Sequence, residues 1–219
     1  MKSELFEQPS ARFFIGLVLR VLLYAVLLGA LALGMLWGAV EYGTAFYDEV
    51  GPVEILETVF ALSAALLFLF AGRLDKKSEP FAVVVASFLF CLFIRESDYF
   101  LDVLICRHTW KFLVTLVLVF LAFYSMRHFR EIVASLVEFV RHPSFGIFLS
   151  GLLVLIVFSR LFGYGGFWKE LLDGETYRPV KTIVEEGVEQ MGYFLLLISS
   201  SEYLHDTLVR RRQNCSCAR

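Results

Sequence analysis

Apolar residues run in long blocks along this chain, separated by short polar stretches. The first block, Phe13 to Val40, carries a single charge, Arg20. Five more lie at 53–71, 81–94 (reaching on toward 106), 112–126, 145–163 and 180–204. A hydrocarbon core of about 30 Å takes roughly 20 apolar residues as helix. The pattern therefore predicts an all-α, polytopic membrane protein: a bundle of six transmembrane helices over approximately 13–40, 53–72, 81–106, 110–126, 145–163 and 179–205. The third and fourth blocks are short of a full span, so their helices draw flanking polar residues into the membrane. Residues 127–142 follow another rhythm. Ile132, Val133, Leu136, Val137 and Val140 recur at helical spacing among Arg127, Arg130, Glu131, Glu138 and Arg141. That spacing predicts an amphipathic helix lying on the cytoplasmic surface. Outside the transmembrane domain of 13–206 stand a cytoplasmic N-terminus, 1–12, and a basic cytoplasmic tail, 207–219.

Composition agrees with the pattern. The chain of 219 residues is 58% hydrophobic and 19% charged, whereas soluble domains run at roughly 45–50% apolar and about 25% charged. This excludes a disordered or disulfide-rich class. Lysine and arginine number 20 against 22 acids, without the basic excess of a nucleic-acid binder. With the N-terminus in the cytoplasm, twelve lysines and arginines fall on the inner side. Six fall outside: Arg95, Arg107, Lys111, Lys169, Arg178 and Lys181. The bias predicts a multi-pass protein of an inner or plasma membrane with both termini cytoplasmic. Arg20, near the inner end of its helix, is expected to snorkel to the headgroups. The first helix reads as a retained anchor rather than a signal peptide. Membrane lipids are the expected partners. Ala30, Gly34 and Gly38, at four-residue spacing, mark a surface for close helix packing or homodimerisation. The four cysteines set no disulfide framework. Cys91 reads as packing, and Cys215 and Cys217 end the tail on the reducing side, where a metal or a lipid are the alternatives to a plain tail.

Charge inside the apolar blocks points to a site. Charged groups at the centre of an inserting helix cost about 2.5–3.5 kcal/mol each, yet this chain collects eight carboxylates at one expected depth, in the outer half of the membrane. They are Glu54, Glu57, Glu96, Asp98, Asp102, Glu185, Glu186 and Glu189, and against them stand Arg95, Arg107, Lys111, Arg160 and Lys181. Glu54 and Glu57 share a helix face, as do Arg95, Asp98 and Asp102, and Glu189 shares one with Glu185 and Glu186. The surplus of acid leaves two escapes, protonation or a bound cation. Purely structural roles compete with both. Arg95 facing Glu186 or Glu189 would lock two helices together, and Glu54, Glu57, Glu185 and Glu186 suit helix N-termini.

The expected ligand is a cation, a proton or a lipid headgroup. An oxygen-rich donor set suits magnesium, calcium or manganese. Zinc or haem is poorly served, because only His108 is on the outer side while His128, His142 and His205 belong to the cytoplasmic edge. In an enzymatic alternative, Glu96 or Asp98 serves as general base, His108 as acid or base, and Arg95 or Lys111 as phosphate anchor for a lipid headgroup. A third reading is a non-catalytic assembly subunit with structural ion pairs. Ser199, Ser200 and Ser201 are expected to hydrogen-bond to a neighbouring helix or to carbonyls four residues back.

Overall fold

The computed structural model of the chain describes residues 11–217 apart from 49, 173 and 175. The N-terminal residues 1–10, with Lys2, and Arg219 lie outside the described residues, as do the side chains of Arg12, Cys215 and Cys217. Among the described residues the structure is helical and contains no strand. Helix α1 spans Ala11–Tyr42 and runs into a short 3-10 turn, Gly43–Tyr47. Then come α2, Pro52–Leu74; α3, Glu79–Glu96; α4, Asp98–Leu104; and α5, Thr109–Val140. Helix α6, Pro143–Leu153, passes through a π-helical turn, Val154–Phe158, into α7, Ser159–Phe162. Helices α8, Gly165–Leu171, and α9, Tyr177–Cys217, complete the chain.

Proline sets several of the starts. Pro52, Pro80 and Pro143 stand in the first turn of α2, α3 and α6. There the missing N–H costs nothing and the fixed φ suits the helix. Small residues set the packing. Ala61, Ala64, Ala65, Ala71 and Gly72 make a buried stripe on α2, which lets α2 lie close against both α3 and α9. Phe68, on the same stripe, stacks on Tyr203 of α9 with ring centroids 5.0 Å apart. Phe81, Phe139 and Phe148 close the aromatic centre around them.

Four helical segments are long and apolar enough to cross a membrane: 14–47, 52–74, 109–140 and 143–162. The pair α3 and α4, bent by 62°, makes a fifth if counted together. The apolar stretches of α1 and α5 bury nothing inside the protein. Helix α1 is held by few contacts. Arg20 pairs with Glu202 of α9 at 2.8 Å, and the Tyr47 hydroxyl donates to the Met35 carbonyl.

Three expectations differ from what is observed. The sixth span, inside α9, does not meet the same test of length and apolarity, because even beyond its charged first turns the stretch holds Gln190, Ser199, Ser200, Ser201 and Glu202. The surface helix at 127–142 is not separate. Residues 109–140 form one helix broken at His128, whose backbone (φ −110°, ψ 18°) leaves helical space, and beyond the break Ile132 and Phe139 pack on the core. The expected tail is helical as far as Cys217. Of the small-residue stripe on α1, Ala30 and Gly34 are exposed, whereas a side chain at Gly38 would collide with the Phe46 ring.

Candidate functional site

Three helices bring acids to one end of the bundle. Helix α2 begins at Pro52, so Glu54 falls in its first turn and Glu57 one turn deeper. Glu57 is fully buried, and neither of its carboxylate oxygens has a hydrogen-bond partner. Helix α9 presents Glu186 and Glu189, three residues apart and so on one face. One oxygen from each of Glu57, Glu186 and Glu189 lies within 4.8 Å of the others.

Two arginines meet this group. Arg95, in the last turn of α3, reaches Glu189 Oε2 at 2.8 Å and also holds Glu96, its Nε donating to Oε1 at 2.9 Å. Arg160 of α7 donates to Glu189 Oε1 at 2.5 Å. Both oxygens of Glu189 are thus occupied by guanidinium groups. The Tyr193 hydroxyl donates to Glu96 Oε1 at 2.5 Å, fixing Glu96 from α9. Lys181 neutralises Glu185 at 2.6 Å. The inner group of Glu57, Glu96, Glu186 and Glu189 therefore faces two guanidiniums, leaving two negative charges uncompensated. Gln190, next to Glu189, is also fully buried, and neither its amide oxygen nor its nitrogen is bonded.

The chemistry follows from this deficit. An ionised carboxylate buried without partners costs several kcal/mol. Glu57 is stable when it carries a proton or when its oxygens coordinate a cation. The spacing suits either. Oxygen ligands on opposite sides of a calcium ion, at about 2.4 Å each, stand about 4.8 Å apart. The donor set is all carboxylate and, among the described residues, no histidine or cysteine joins it. That favours a hard cation over zinc or haem iron.

The other expected residues sit elsewhere. The break at Ser97 (φ −98°, ψ 12°) separates α3 from α4, so Arg95 does not share a helix face with Asp98 and Asp102. Asp98 lies in the first turn of α4, where the helix dipole favours it. Asp102 accepts the His108 backbone N–H at 2.8 Å. His108 itself, left-handed with φ 70°, is exposed at the start of α5. Lys111 is exposed, its ammonium 5.5 Å from the Trp110 ring centre. Glu54 is half-buried at the start of α2. Among the described residues, none of Asp98, Asp102, His108 and Lys111 joins the triad or its arginines in an ion pair.

Two members of the site are not signalled by charge. Tyr193 and Gln190 fall on the same face of α9 as Glu186, seven and four residues on, and that periodicity was the only available signal. At the opposite end, Ser199 Oγ donates to the Ser144 carbonyl, and Ser200 and Ser201 donate to carbonyls four residues back, as their setting in an apolar helix led one to expect. No family model, no curated protein and no solved structure matches this chain.

Proposed function

We propose that this chain is a multi-pass membrane protein that binds a cation or a proton within the bilayer, at Glu57, Glu186 and Glu189. In this reading α9 is the sixth span, entering near Pro179 and leaving near His205. Residues 129–140, past the break in α5, run along the inner surface, and both termini are cytoplasmic, as the distribution of lysine and arginine supports. The acidic end then occupies the outer half of the membrane.

One observation carries the proposal: Glu57 is wholly enclosed with both oxygens unpaired, against two further carboxylates. A residue kept only for structure would have no reason to remain acidic there. Two excess negative charges are balanced by one divalent cation or by two protons. Arg160 is 53% exposed along its side chain, against 37% for Arg95. It is therefore the partner that yields Glu189 Oε1 to an incoming cation, its charge staying beside Glu185, 3.9 Å from its Nη1. Arg95 stays, held by Glu96.

The test is labelling by an apolar carbodiimide, which reacts with protonated carboxyl groups in dry surroundings. Glu57 is expected to be modified in the detergent-solubilised full chain, and calcium, manganese or magnesium to protect it. Modification without protection assigns the site to protons alone. If Glu57 is neither labelled nor protected by any of these ions, the proposal is wrong.

A further inference from the structure

We propose that the acidic end is one mouth of a proton path that runs along α9 to the far end of the bundle, so that the chain carries protons across the membrane. This rests on the reading of Glu57, Glu186 and Glu189 as a proton site and extends it. The path begins with a stripe on α9 that is buried from end to end: Glu189, Gln190, Tyr193, Leu196, Ser199, Ser200, Tyr203 and Thr207 are each less than a tenth exposed. From Glu189 to Asp206 the helix rises about 26 Å, close to the hydrocarbon thickness of about 30 Å.

At the far end stands a second titratable group, its ring edge-on to Tyr203 with centroids 5.7 Å apart. His142, between α5 and α6, is buried. Its Nδ1 accepts the Ser144 backbone N–H at 3.2 Å and lies 2.7 Å from the Ser144 hydroxyl. With Nδ1 accepting, the ring proton resides on Nε2. That nitrogen is 2.8 Å from Asp206 Oδ2, a contact without the angle of a hydrogen bond. A serine or an aspartate would cap α6 equally well. Histidine adds a second nitrogen that can exchange a proton. His142 also lines a cavity of about 470 Å³, together with Asp75, Lys77, Glu138, Tyr203 and Arg210. Of the charged groups around His142, Glu138 bonds to Arg210 at 2.9 Å and lies 3.6 Å from Lys77, and Asp75 accepts the Lys77 backbone N–H at 3.1 Å; Asp206, which His205 Nδ1 also approaches at 3.3 Å, is the acid that touches the imidazole. A proton that reaches His142 converts it to imidazolium. Loss of the Nε2 proton to Asp206, whose side chain is part-exposed, and from there to water restores a neutral ring, and movement of the remaining proton from Nδ1 to Nε2 resets it for the next.

Inward from His142 the polar stripe continues with the Ser144 hydroxyl and Ser199, whose hydroxyl donates to the Ser144 carbonyl; the two hydroxyls are not bonded to each other, so a water must carry the proton between them. The interval from Ser199 to Tyr193 is apolar. It rises about 9 Å along α9, a gap that about three hydrogen-bonded waters would bridge. Leu196 and Leu155 fill it. Leu196 seats over Gly151, and Leu155 over Gly192. Leu155 belongs to the π-helical turn, the type of helix irregularity that concentrates at functional sites. The two leucines form the barrier that must move or wet for a proton to pass.

The experiment places the full chain in liposomes containing a pH-sensitive dye and drives protons inward with a potassium diffusion potential. Wild-type chain is expected to acidify the lumen faster than empty liposomes. Asp206→Asn and His142→Gln are each expected to lower the rate by about tenfold or more, as removal of a proton-transferring group does. Leu196→Ala is expected to raise it. Asp206→Asn leaves the α6 cap untouched and so guards against a folding effect of the histidine change. Carbodiimide labelling of Glu57 is followed in the same samples. Labelled Glu57 with no wild-type flux, or with flux indifferent to both substitutions, overturns the path and leaves the binding site standing. Loss of labelling in wild-type chain overturns the binding site itself.

Discussion

Replacing Glu57 by methionine separates a ligand site from a structural acid. Methionine matches glutamate in length, is larger by about a methylene, and removes both unbonded oxygens. Leaving a buried polar group unsatisfied costs about 1–3 kcal/mol. The Glu57→Met chain is therefore expected to be more stable than wild type by about that amount when no divalent cation is present, as long as Glu186 and Glu189 keep their places. The order reverses once the ligand is added. A cation at a hundred times its dissociation constant stabilises the form that binds it by about 2.7 kcal/mol. That would cancel most or all of the advantage of the variant. The assay is thermal unfolding of both proteins in one detergent, followed by intrinsic tryptophan fluorescence, with and without calcium, manganese or magnesium. Wild type should gain several degrees with the right cation and the variant none. Two results together would refute the reasoning: the variant unfolding more easily than wild type, and wild type indifferent to every cation. Glu57 would then hold the fold through partners its geometry does not show.

Tyr193→Phe removes the hydroxyl bonded to Glu96 and leaves Glu96 with Arg95 alone; it should cost about 1–3 kcal/mol, read by the same unfolding assay, with Tyr193→Ala costing more through lost packing. Gly192→Ala places a Cβ against Leu155 and should destabilise by about 1–3 kcal/mol, while Gly34→Ala, which meets open space, should be close to neutral. Burial holds His142 below its ordinary range, against the opposing pull of Asp206. The unfolded chain therefore binds this proton more readily, and the stability tied to His142 is complete above about pH 6.5 and declines as pH falls through it. Asp206→Asn should steepen that decline and His142→Gln should remove it, measured as unfolding free energy between pH 8 and 5. Charge reversal of Arg20 to Glu should loosen α1 from α9, and the double change with Glu202→Arg should restore part of the loss, the cycle giving no more than about 1 kcal/mol for a half-exposed pair.

The sequence alone located the apolar blocks, because burial in lipid leaves its mark residue by residue and needs no knowledge of neighbours. It also counted Glu57, Glu186 and Glu189 among eight candidate acids, since an acid in an apolar block is expensive wherever the helix happens to point, but did not separate them from Glu54, Glu96, Asp98, Asp102 and Glu185. It raised Arg95 as a partner for Glu186 or Glu189, and the structure selects Glu189. What composition could not supply was rotation and bending. Asp98 and Asp102 share a face with Arg95 only if the helix continues past Ser97, and the 62° bend takes them away. Gln190 and Tyr193 carry no charge to betray them and join the site through the turn of α9. His142, Ser144 and Asp206 meet because α6 packs on α9, across a separation of more than sixty residues. Depth in a membrane is a property of single residues summed along the chain, whereas convergence on one point depends on how several helices are turned about their own axes, and only packing fixes that.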